Sequence, residues 1–97
     1  NLRGGTDVIF VNFGGQEEEH CFACVTELRK FGIAAELYPS DAKMKKQMKY
    51  AGERGIPYVV LIGSEERSEN RMTVKDMAAG TQTSMRLEEL VEQLKGE

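Results

Sequence analysis

Three groups of residues in this chain have types and spacings that could do chemistry. Cys21-Phe22-Ala23-Cys24 has the C-x-x-C spacing of a redox dithiol, and His20 beside it adds a further ligand of the kind zinc takes. Lys43, Lys46, Gln47 and Tyr50 lie within eight residues of one another. Lysines that meet phosphates, an amide that reads a base edge and an aromatic ring that stacks on an unpaired base are what recognition of a single-stranded nucleic-acid loop requires. Gly14-Gly15, between an apolar run and an acidic one, raises a phosphate-binding turn.

Which chemistry is possible depends on the elements that hold these residues. The lysines belong to a helix with a start signal in Ser40 or Asp41 and a stop in Gly55. At 100° per residue, Met44, Met48 and Ala51 fall on one side of it, whereas Lys43, Lys46, Gln47 and Tyr50 gather a third of a turn or more away. One face is expected to be core and the other a reading surface. Ile56 precedes Pro57 and is pushed out of the helical region, and Tyr58–Ile62 runs without a polar residue, as a parallel strand covered on both faces would.

The rest of the chain repeats this alternation. Asp7–Phe13 is apolar at both alternating sets of positions, so it reads as a central strand. A helix follows from about Gln16 to Phe31, with Cys21, Cys24, Val25 and Leu28 at i, i+3, i+4 and i+7, and Gly32 ends it. Ile33–Tyr38, bounded by Gly32 and Pro39, is a second strand. Gly63–Asn70 reads as a polar loop, Arg71–Met77 alternates like a half-exposed strand, and Ala78-Ala79-Gly80 turns into a weak edge strand at Thr81–Thr83. Ser84 is the expected N-cap of a last helix striped by Leu87, Leu90, Val91 and Leu94. The order βαβαβββα predicts a three-layer α/β/α domain on a five-stranded mixed sheet whose fourth strand runs antiparallel. Residues 1–6 (Asn-Leu-Arg-Gly-Gly-Thr) read as a linker remnant and 7–97 as the domain.

These placements weigh the candidates. A redox thiol needs the helix N-terminus, yet Gln16–His20 would precede Cys21, and Glu17–Glu19 would raise its pKa. Both cysteines also lie on the apolar stripe, so they are expected to be core thiols. His20 with two cysteines on one helix leaves the fourth metal ligand unassigned, and neither G-x-G-x-x-G nor a Walker spacing surrounds Gly14-Gly15. One histidine in an acidic helix start assembles no nucleophile–base set, so no catalytic residue is expected.

Ninety-seven residues bound one domain with a modest core, and no run approaches the roughly 18 apolar residues of a membrane helix. A net charge of -3 argues against holding nucleic acid by bulk attraction. Residues 41–54 nevertheless carry five basic side chains (Lys43, Lys45, Lys46, Lys49, Arg54) against Asp41 and Glu53, a local balance of +3. Any such contact must be local.

The run KMKKQMKYAGERGIPYVVLIGSEE, with the strand at Thr73–Met77 and the terminal Leu87-Glu88-Glu89-Leu90 helix, resembles the C-terminal anticodon-binding domain of histidyl-tRNA synthetases over nearly all of residues 7 to 95. The resemblance implies the same α/β architecture and recognition of the tRNA(His) anticodon loop. It also implies a cytoplasmic, homodimeric parent enzyme that uses ATP and Mg in a catalytic domain outside these residues, with no cofactor in this one. The RNA-contacting set it suggests is Lys43, Lys46, Gln47, Tyr50, Lys75 and the turn Ser64, Glu65, Glu66, which flanks the carboxyl ends of the strands. Two other classes stand beside it: a synthetase-like domain recruited as a regulatory or protein-interaction module, and a thioredoxin-like oxidoreductase using Cys21 and Cys24, with Ile56-Pro57 in the place of that fold's proline.

Overall fold

The two wholly apolar runs form the middle of the sheet, because only there are both faces of a strand covered. The computed structural model describes residues 5–96. Strand β1 (Val8–Phe10) pairs in parallel with β2 (Ala35–Leu37) on one side and β3 (Tyr58–Leu61) on the other. β3 then pairs antiparallel with β4 (Met72–Asp76), and β4 with the edge strand β5 (Thr81–Met85). The order β2-β1-β3-β4-β5 is the expected five-stranded mixed sheet with an antiparallel fourth strand.

Side-chain alternation divides the core in two. Val8, Phe10, Tyr58, Val60, Met72 and Val74 pack with Cys21, Val25 and Leu28 of α1 (Gly15–Lys30) and Leu90 and Val91 of α4 (Leu87–Lys95). On the other face Ile9, Val11 and Val59 meet Ala51 of α2 (Met44–Glu53), with Tyr38 and Ile56 closing the cluster. Phe10, Leu28 and Leu90 are fully buried, and each such side chain is worth about 1.5–3 kcal/mol of apolar transfer.

Four expectations need correction. Gly63–Asn70 is not a loop throughout: Ser64–Glu69 forms a short helix, α3, so the order is βαβαβαββα. It has no buried residue and hence no apolar stripe to betray it. Its ends hold it instead. Glu66 Oε1 accepts from Gly63 N at 2.9 Å, Asn70 ends it with φ 56°, and Arg67 ties it to α1 by donating to Glu17 (2.7 Å) and Gln16 (2.8 Å). Next, α2 begins at Met44 with Lys43 at the N-cap position and no side-chain cap, so neither Ser40 nor Asp41 caps it. Third, Ser84 lies within β5, where its hydroxyl accepts from Arg71 Nε at 2.9 Å. Arg86 occupies the N-cap of α4, and its N–H donates to Glu89 Oε1 at 2.7 Å. Finally, the strand within the Asp7–Phe13 run is Val8–Phe10, with single backbone bonds from Asp7 to Ala34 and from Val11 to Val60 at its ends. Residues 1–4 of the expected linker lie outside the described residues, whereas the Thr6 hydroxyl donates to Glu36 of β2.

Two glycines shape the turns on either side of α2's seat, one after β1 and one before β3. Gly14 has φ +77°, and a Cβ there would stand 3.1 Å from the Asp41 carboxylate, so this turn packs directly on the β2–α2 loop. Gly55 has φ +65° and stops α2 as expected, letting Ile56 drop into the core.

Val60 is wholly shielded from solvent in the middle of the sheet. Val60→Asp would bury an unpaired carboxylate and is expected to cost more than about 4 kcal/mol, enough to abolish a cooperative transition in a domain this small. Thermal unfolding followed by circular dichroism checks this, and an unchanged midpoint would contradict a strand covered on both faces.

Candidate nucleic-acid interface

The carboxyl end of β1 decides how α2 is seated. In a regular parallel ladder Asn12 N–H would donate to Tyr38 O of the β2 side, one step beyond the bond from Tyr38 N to Phe10 O (3.1 Å). Pro39 turns β2 away. The Gln47 carboxamide takes over: its Oε1 accepts from Asn12 N (2.8 Å) while its Nε2 donates to Asn12 O (2.9 Å) and to Ala42 O (2.8 Å). Asn12's side chain completes the joint by donating to Tyr38 O (2.9 Å) and accepting from Gly14 N (2.8 Å).

Gln47 was expected on the reading face, and the structure corrects this. It is 3 % exposed and both its amide hydrogens are engaged, so no donor remains for a base edge. The buried stripe of α2 is Gln47 and Ala51, with Met48 packed beside them, while Met44, expected in the core, is 38 % exposed. The wheel misassigned both residues because it scores side-chain apolarity and is blind to a buried backbone that needs a polar partner.

Turning Gln47 inward leaves Lys43, Lys45, Lys46 and Lys49 outward and exposed. Among the described residues none of the four is in an ion pair. Tyr50 is half-buried and firmly held: its hydroxyl donates to Glu36 at 2.9 Å, its ring meets Tyr38 edge-on at 5.4 Å, and the Arg54 guanidinium lies over it at 4.8 Å. The bond to Glu36 and partial burial raise the Tyr50 pKa. Sequence reasoning did not single out Arg54 or Asn12. A polar residue closing an otherwise apolar run was the available signal for Asn12.

The other expected contacts divide between two places. Ser64 and Glu65 are exposed in the first turn of α3, at the carboxyl end of a parallel strand like Lys43. Glu66 is half-buried with one carboxylate oxygen spent on Gly63. Lys75 stands opposite Val59 and Gln82, which puts it on the α2 face of the sheet but nearer the amino end of β3. It is therefore separate from the Ser64–Glu66 turn. Beside it β5 is exposed from Thr81 to Ser84.

Comparison with known proteins decides the family. A family model described as "Anticodon binding domain" matches residues 7–97. The chain belongs to the anticodon-binding domain family. Histidine--tRNA ligase from Christiangramia forsetii is 50 % identical over 80 residues, covering 82 % of this chain and 18 % of the relative. The same enzyme from Phocaeicola vulgatus is 42 % identical over 87 residues, covering 90 % of this chain and 19 % of the relative. The structure of apo S. aureus histidyl-tRNA synthetase superposes with a TM-score of 0.85 at 30 % identity, covering 98 % of this chain and 24 % of that one. This anticodon-binding domain thus spans about a fifth of the length of the relatives it matches, and its likeness is to the histidyl group, as the sequence suggested. No helix among its described residues is long and apolar enough to cross a membrane.

The thiols of the anticodon-binding domain are placed as core residues. Cys21 and Cys24 are free and buried with Val25 and Leu28 against the sheet. Burial, with Cys24 and Glu17 nearby, pushes Cys21 up to about 12, and burial raises Cys24 too. A thiol held neutral is a poor nucleophile, which removes the basis of the oxidoreductase reading. His20 is half-buried and lines a cleft with Cys24, Glu27, Arg71 and Glu88. Neither thiol of the folded domain is expected to react with iodoacetamide at pH 7, whereas both should label in denaturant. Because the folded pKa lies above the unfolded one, Cys21's contribution to stability is whole below about pH 8.5 and is lost as pH rises from there to about 12. Rapid labelling of the folded domain, or stability rising across that window, would contradict the burial.

Proposed function

We propose that this domain holds the anticodon loop of a histidine tRNA for a longer histidine–tRNA ligase, whose catalytic part uses ATP and Mg to charge the tRNA. The parent enzyme is a cytoplasmic homodimer in this reading, and residues 7–97 are its anticodon-binding unit. One observation carries it: a net-acidic domain keeps a ridge of exposed lysines on α2, none in an ion pair among the described residues, beginning at the carboxyl ends of parallel strands.

In this reading Lys43 and Lys46 meet phosphates, and Lys75 meets the backbone further along the α2 face. Tyr50 acts with Arg54: the guanidinium covering the ring is exposed, so an unpaired base stacks on the cation–aromatic pair and not on the bare ring. Ser64, Glu65 and the second carboxylate oxygen of Glu66 read base edges at the β3–α3 turn, since carboxylates accept from base amino groups. Gln47 has no direct part.

Phosphate and base contacts fail differently. Lys46→Ala in the full-length ligase is expected to weaken binding of every tRNA about equally and to lower the salt slope by about one. Glu66→Ala should reduce the preference for tRNA(His) over an anticodon-swapped tRNA, at a cost of about 1–3 kcal/mol. Binding measured with both tRNAs at two salt concentrations checks both. If neither variant changes affinity or preference, the ridge is a solvated surface and the domain serves as an interaction module.

A further inference from the structure

We infer that Asn12 and Gln47 form a positioning pair that aims the α2 ridge at the RNA, so that tRNA affinity depends on a buried joint the RNA does not touch. This rests on the reading of α2 as the RNA-facing element.

The first turn of α2 has little else to orient it, because the directional contacts of Tyr50 with Glu36 and Tyr38 come only in the second. Met44 is 38 % exposed, Lys43 at the N-cap position provides no side-chain cap, and the fully buried contact, Ala51, lies two turns further on. Ala42 and Met48 pack against the second core cluster, but such contacts are non-directional and do not by themselves fix the register of the helix start. Gln47 supplies the direction. Its three hydrogen bonds join the backbone of β1's end to Ala42, the residue immediately before Lys43. Asn12 carries the link to the end of β2 at Tyr38 and to the Gly14 turn, so two strand ends, the β1–α1 turn and the start of α2 meet in one network.

A carboxamide is the group this joint requires. It must accept one backbone N–H and donate two hydrogens to carbonyls at once, which neither a carboxylate nor a thioether does. Removing it leaves Asn12 N–H and two carbonyls without partners, and the helix start then has no fixed register in which Lys43 and Lys46 project.

The test is a double-mutant cycle in the full-length ligase, measured as tRNA(His) affinity at a temperature where each variant is fully folded by circular dichroism. Gln47→Met, of similar length, is expected to weaken binding about tenfold in the native background. It should weaken it less than about threefold when Lys43 and Lys46 are already alanine, because a joint that acts through those lysines is coupled to them. Equal losses in both backgrounds, or a folded Gln47→Met protein with unchanged affinity, would overturn the inference. If the Lys43/Lys46 double variant itself binds tRNA normally, the reading of α2 falls and this inference with it; normal binding by Gln47→Met beside weakened binding by the lysine variant removes the inference alone. Should Gln47→Met not fold, Asn12→Ala replaces it in the cycle, since it removes the bonds to Tyr38 and Gly14 but leaves the Gln47 bonds to the backbone. The same non-additivity is expected of it, and additivity would overturn the inference.

Discussion

A backbone N–H and C=O at Asn12, left behind when β2 turns away at Pro39, must be satisfied inside the protein, and the whole carboxyl end of the sheet is arranged around how that is done. Asn12 is 1 % exposed, so water does not solve the problem. A side-chain carboxamide continues the ladder instead. Because that carboxamide belongs to α2, the solution to a local hydrogen-bonding problem also sets where a helix two elements away begins and which way it faces. Gly14 follows from the same crowding, since the turn it makes lies against Asp41 of the loop that feeds α2.

This arrangement reconciles a net charge of -3 with the nucleic-acid surface proposed on α2. The acids of α1's first turn, Glu17 and Glu18, lie at a positive helix end, and Glu17 is spent on Arg67 of α3. Among the described residues the lysines of α2 are in no ion pair, and only Arg54 at its C-cap is engaged, over Tyr50. Affinity drawn from a few lysines is local and strongly screened by salt, so discrimination has to come from base contacts elsewhere, at the β3–α3 turn in our reading. The α1 and α4 face contributes core, and burial both makes its cysteines part of that core and holds their thiols neutral.

Most of the architecture was legible in the sequence because it rests on apolar patterning. Val8–Val11 and Tyr58–Ile62 could only be central strands, and the stripes Cys21/Cys24/Val25/Leu28 and Leu87/Leu90/Val91 could only be helices lying on them. The short Gly63–Asn70 connection indicated an antiparallel fourth strand, and β4 is antiparallel, yet the turn of helix within it was missed because α3 buries nothing. The extension of β5 through Ser84 to Met85 was missed for a similar reason, as Thr81–Ser84 are polar and exposed and only Met85 is buried.

For the candidate site the balance is different. Residue types by themselves determined that α2 is basic, that Tyr50 and its lysines are near one another, and that Cys21 sits too deep in its helix for redox work. They did not determine that Gln47 faces inward, that Arg54 covers Tyr50, or that Lys75 and Ser64–Glu66 lie at different ends of β3. Apolar burial follows a period that can be counted along the chain. A polar side chain goes where an unpaired backbone group needs it, and which groups are left unpaired is known only once distant strands have met and one of them has turned away.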